Sequence, residues 1–76
     1  MSEPGHETSE ITISLNGEKR EIPSGLTIRD LLKRLDLDER LVVVERNREI
    51  VRREEYQDVK LNAGDAIELV HFVGGG

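Results

Sequence analysis

Residues 11–35 read ITISLNGEKREIPSGLTIRDLLKRL, a strand pair and then a helix, each with its own local punctuation. Ile11, Ile13 and Leu15 alternate with Thr12 and Ser14, the period of a half-buried strand. Asn16-Gly17 follows at once, and that dipeptide is the strongest short hairpin signal because both central positions of a type I′ turn need φ > 0. The return strand is expected over 19–22. It stops at Pro23, whose missing N–H fits only an edge or a strand end. Thr27 then offers an N-cap with Asp30 three residues on, a variant of the capping box that also complements the helix dipole. Ile28, Leu31, Leu32 and Leu35 recur at helical spacing while Arg29, Asp30, Lys33 and Arg34 point away, so one apolar stripe faces a core. The helix is expected to end near Asp36, with 37–40 as the connection to the next strand.

Working outward, 41–44 is a largely β-branched apolar run, too short for a helix and apolar on both faces, which places a third strand in a central, covered position. Asn47 marks a turn, 49–51 a short return strand, and 53–57 one helical turn ahead of 59–61. Asn62-Ala63-Gly64-Asp65 is a second clear turn, and 66–73 forms the last strand. Hairpin, helix, strand, short irregular segment and final strand is the order of an α+β, β-grasp (ubiquitin-like) domain. In that fold the first and last strands lie adjacent and parallel at the centre of a mixed sheet packed on one main helix, as the right-handed crossover rule favours. A ferredoxin-like layout needs a second full helix, which the sequence lacks. The polar, aperiodic stretch 1–10 (MSEPGHETSE) reads as a disordered acidic leader, 11–73 as the domain, and 74–76 as a flexible glycine tail.

Composition narrows the function. A chain of 76 residues has room for one small domain near the limit of what a single core can hold. There is no Cys, so disulfides, thiolate metal sites and thiol or persulfide chemistry on this chain are excluded. No apolar stretch approaches the roughly 20 residues that span a bilayer, and no signal-peptide pattern opens the chain; a cytoplasmic location is expected, with no membrane partner. A net charge of −5 with two aromatics, Tyr56 and Phe72, argues against nucleic acid. The strip 45–55, with four Arg and four Glu, reads as an ordinary ion-paired face. His71 stands without a partner at ligand spacing, Asp36, Asp38 and Glu39 look like a solvated connection, and no P-loop, nucleophile elbow or zinc spacing occurs. The expectation is a chain with no catalytic residues, no metal and no bound cofactor, which is therefore not an enzyme.

What remains is the end of the chain. Val73 is followed by Gly74, Gly75 and Gly76, a run that has no side chains and tolerates φ values closed to other residues. At roughly 3.3–3.6 Å per residue it reaches about 10 Å, enough to pass the Gly76 carboxylate into another protein's active site while the domain stays outside. In the preceding strand, Ile67, Leu69, His71 and Val73 share one face and Ala66, Glu68, Val70 and Phe72 the other. With Ile67 and Leu69 turned to the helix, Val70 and Phe72 lie on the open side beside the tail, a patch suited to docking. The alternative is that Phe72 folds back over the edge of its own core.

Taken together, ITISLNGE (11–18), PSGLTIRDLL (23–32), VVVERNREIV (42–51) and above all GDAIELVHFVGGG (64–76) resemble the ThiS sulfur carrier proteins of thiamine biosynthesis. The resemblance covers essentially 11–76. It departs at Val51-Arg52-Arg53, where the family typically has Val-Pro-Arg, and in the additional acidic leader. The resemblance implies that a ThiF-type adenylyltransferase uses ATP to adenylate the Gly76 carboxylate. A sulfur donor such as a cysteine desulfurase converts it to a thiocarboxylate, which a ThiG-type thiazole synthase then consumes. Gly76 would bear the sulfur, Gly74 and Gly75 would thread the tail, and Val70, Phe72 and Val73 would make docking contacts. Two alternatives stay open: a sulfur carrier of the molybdopterin synthase small-subunit type, and a ubiquitin-like protein modifier.

Overall fold

The computed structural model describes residues 9–72. Five strands and one α-helix follow in the order β1 (Glu10–Leu15), β2 (Glu18–Pro23), α1 (Ile28–Arg34), β3 (Val42–Arg46), β4 (Glu49–Val51) and β5 (Ala66–His71). The strands form a single sheet in the order β2-β1-β5-β3-β4. β1 and β2 are antiparallel, β1 and β5 parallel, and β3 antiparallel to both β5 and β4. This is the β-grasp arrangement. Asn16 and Gly17 turn the first hairpin with φ of 50° and 86°, the signs that a type I′ turn demands, and Pro23 closes an edge strand.

α1 starts where its chemistry says it should. The Thr27 hydroxyl accepts from the Asp30 N–H (3.1 Å) and the Asp30 carboxylate accepts from the Thr27 N–H (3.0 Å). The next two free donors of the helix end find loop carbonyls: the Ile28 N–H donates to Val59 (3.0 Å) and the Arg29 N–H to Tyr56 (3.0 Å). The first-turn donors, which have no partner inside a helix, are thus all used. At the other end the helix is shorter than its pattern predicts, closing at Arg34 with Leu35 as C-cap. Asp36 takes the left-handed conformation (φ 60°). The Asp36 and Leu37 N–H groups return to the Lys33 and Leu32 carbonyls at 3.0 and 2.9 Å, the paired bonds of a Schellman motif with Asp in the place usually held by Gly.

Other boundaries shift as well. Leu41 ends a short 3-10 turn (Glu39–Leu41) instead of opening β3, and the expected helical turn at 53–57 is a 3-10 turn, Arg53–Glu55. β3 is paired on both sides but β5 holds the centre, because the parallel β1·β5 pair must be interior to both hairpins. Segment 59–61 contributes only an isolated bridge, Thr27 to Lys60, and β5 ends at His71.

The helix stripe (Ile28, Leu31, Leu32) packs on Ile13, Leu15, Ile22, Val42, Val44 and Ile67 of the sheet, with Tyr56 and Leu61 closing one side. Each fully buried side chain of this size is worth about 1.5–3 kcal/mol relative to exposure. Tyr56 uses its ring for the core and gives its hydroxyl hydrogen to the Val42 carbonyl (3.2 Å); burial pushes its phenol above the ordinary value of 10.0.

Candidate functional site

β5 is held from three directions. At its start, Asp65 is 6% exposed and its carboxylate accepts from Arg46 Nε (2.9 Å), Asn47 Nδ2 (3.1 Å) and the Asn62 N–H (2.8 Å). Burial alone pushes this carboxyl up. The Asn62 N–H, the Arg46 guanidinium and the Asn47 amide outweigh that and hold it below the ordinary value of 3.8. The Asn47 carbonyl oxygen in turn accepts from the Ala66 N–H (2.9 Å), so the β3–β4 turn clamps the entry to β5. From the far side Asn16, the hairpin residue, accepts from the Leu69 N–H through Oδ1 (2.8 Å). Its side chain carries the ladder one rung past the end of β1.

The register of β5 on β3 then decides what the strand shows. Val43 lies opposite Val70 and Glu45 opposite Glu68, while Val44, opposite Leu69, belongs to the buried face. Past the last paired residues, Val42 and His71, the Phe72 N–H donates to the Leu41 carbonyl (2.7 Å). By the period-two rule, Leu41, Val43, Val70 and Phe72 therefore share the face away from α1. Val70 and Phe72 are 55% and 54% exposed, and Leu41 38%. Phe72 does not fold back over the core; it stands in an open apolar patch at the end of the strand that leads to the glycines.

Two of the sequence-predicted docking residues, Val70 and Phe72, are thus brought together. Val73, Gly74, Gly75 and Gly76 lie outside the described residues, as does the leader through residue 8. Sequence reasoning missed Leu41 and Val43 as members of the patch; the unbroken apolar run 41–44 carried the signal, but only the register says which two of the four join Val70 and Phe72. It also missed the Arg46–Asn47–Asp65 clamp. His71 is exposed. Nearby Asp38 accepts from the Arg40 side chain and N–H at 2.8–3.1 Å, which lowers its carboxyl to about 2. Among the described residues no cluster of His, Cys, Asp and Glu is arranged to hold a metal ion. Nor, among the described residues, is any helix long and apolar enough to cross a membrane.

The model of the ThiS family matches residues 13–76. The sulfur carrier protein ThiS of Bacillus subtilis is 54% identical over 50 residues, which cover 66% of this chain and 76% of that one. A thiazole synthase of Paramagnetospirillum magneticum is 47% identical over 62 residues, covering 82% of this chain. This chain spans only 19% of that protein's length. Among solved structures, the thiamine biosynthesis protein (ThiS) of Geobacter metallireducens superposes with a TM-score of 0.72 at 31% identity, covering 87% of this chain and all of its own.

Proposed function

This chain belongs to the ThiS family, and from that premise we propose that it is a sulfur carrier of thiamine biosynthesis that works through the carboxylate of Gly76. The observation that carries the proposal is the placement of the Leu41, Val43, Val70 and Phe72 patch at the end of β5, immediately before the glycine run. The patch gives a partner enzyme a grip, and the glycines give it a thread.

A carboxylate is a poor electrophile. A ThiF-type adenylyltransferase joins the Gly76 carboxylate to the α-phosphate of ATP and releases pyrophosphate. The resulting acyl-adenylate carries AMP as a good leaving group. The terminal sulfur of a donor persulfide, such as that of a cysteine desulfurase, attacks the carbonyl carbon and expels AMP to give an acyl disulfide. A second thiol on the partner side then attacks the donor's sulfur, forming an ordinary disulfide and releasing the thiocarboxylate. ATP is consumed by the partner, and this chain acts as co-substrate, supplying the docking face and the carboxylate. A ThiG-type thiazole synthase takes the sulfur. Support for that last partner comes from the Paramagnetospirillum thiazole synthase, in which a segment like this chain forms about a fifth of a longer polypeptide.

Intact-protein mass spectrometry after incubation with the adenylating enzyme, ATP and a sulfur donor tests the proposal. Exchange of one oxygen for sulfur on the Gly76 fragment is expected. An unchanged mass, with the same enzyme active on an established carrier, refutes it.

A further inference from the structure

β5 runs on past the end of the strand that flanks it on one side. β1 pairs with it only at Ser14 to Ala66 and Leu15 to Ile67, after which the chain turns away at Gly17. On its other side β5 is paired with β3 as far as His71. The hydrogen-bond parity identifies what is left over. The Ile67 carbonyl accepts from the Asn16 N–H (2.9 Å) and the Leu69 N–H donates to Asn16 Oδ1, so odd-numbered residues of β5 face the β1 side. The Phe72 N–H goes to Leu41 of the β3 side, as alternation requires. The Leu69 carbonyl and the His71 N–H therefore point along the plane of the sheet into the space that β1 has vacated. Among the described residues no turn or side-chain hydrogen bond reaches either one.

Exposed main-chain groups with no protein partner bond to water. Once a partner covers Val70 and Phe72, water is displaced from the neighbouring edge and the two groups need replacements. We infer that the enzyme that activates the Gly76 carboxylate adds an extended segment of its own to this edge, accepting from the His71 N–H and donating to the Leu69 carbonyl. This deepens the function proposed above and rests on it. Strand addition of this kind supplies main-chain bonds at an open sheet edge, and here it fixes the direction in which the tail leaves the domain. Gly76 lies five residues beyond His71, at most about 18 Å.

Charge disfavours a second copy, since each carries −5.

The test uses the full chain and the activating enzyme. His71→Pro deletes the N–H at an edge position where proline is tolerated, and His71→Ala removes the imidazole but keeps the N–H. His71→Ala is expected to bind and be adenylated like the native chain, and His71→Pro to lose affinity about tenfold with the fold retained, equivalent to about 1.4 kcal/mol for the one bond. Amide exchange on the unaltered chain is the second readout and decides the matter if His71→Pro fails to fold. The His71 amide is expected to exchange fast in the free chain beside a slow Phe72, and to become protected in the complex. Equal affinity of folded His71→Pro and native, or a His71 amide unprotected in the complex, overturns the edge pairing. Protection in the free chain that rises with its concentration assigns the edge to a second copy and overturns it too. A native chain that is neither bound nor adenylated overturns the proposed function and this inference with it, whereas native activation beside an unaffected His71→Pro overturns the edge alone.

Discussion

Replacing Asp65 with Ala removes the acceptor of three donors at once: Arg46 Nε, Asn47 Nδ2 and the Asn62 N–H. The Asn62 N–H sits in a tight turn and loses about 1 kcal/mol. The Arg46 bond is charge-assisted, but its side chain is 29% exposed and rehydrates, which limits the loss to about 1 kcal/mol. The Asn47 amide contributes about 0.5–1 kcal/mol. Asp65→Ala is therefore expected to cost about 3 kcal/mol, a drop in Tm of about 12–24 °C for a domain of this size. Asp65→Asn keeps an acceptor for the Asn62 N–H and should cost about half as much. The pH dependence has a definite sign. The carboxyl is held below 3.8 in the folded chain, so its contribution is complete above that value and disappears as pH falls through the folded one. Thermal and urea unfolding at pH 7 and pH 3 read both effects, and the native-to-variant difference should narrow at low pH. An Asp65→Ala chain within 0.5 kcal/mol of native at pH 7 refutes the assignment of the clamp.

Phe72→Glu, at a position 54% exposed, should change stability by less than about 0.5 kcal/mol and yet lower kcat/KM for adenylation at least tenfold; equal kinetics in a pyrophosphate-release assay removes the patch from docking. Deleting Gly76 should leave the melting curve unchanged and impair thiocarboxylate formation, because the carboxylate retracts by about 3.5 Å; unchanged yield by mass spectrometry contradicts the threading role. Arg48 occupies the second turn position between β3 and β4 with φ 72°. Arg48→Gly should therefore raise stability by about 0.5–1 kcal/mol in chemical denaturation, and a loss of stability opposes the strain argument.

Those features whose causes are close in sequence were legible. Asn16-Gly17 and the Thr27/Asp30 box announce themselves because donor, acceptor and backbone sign lie within a few residues. The helix end was misplaced because an Asp took the left-handed position where glycine is the usual signal. Long-range chemistry was not legible at all. Nothing local to Tyr56 says that its carbonyl receives the Arg29 N–H, and nothing near Asp65 names Arg46. The patch was half visible: alternation picked Val70 and Phe72, but their partners Leu41 and Val43 depend on a register that only the folded sheet sets.

The central position of β5 also has a consequence for biogenesis. β5 is the last element of the domain to be synthesised, yet it lies between β1 and β3, and its parallel pairing joins residues 52 positions apart, Ser14 to Ala66. Until β5 is made, the two hairpins have no strand to join them into one sheet, so folding waits for β5 and is limited by a distant contact. The same strand and the residue after it bear half the apolar patch and lead to the glycines. An incompletely folded copy therefore lacks the assembled patch, and under the function proposed above it would offer an activating enzyme no docking surface.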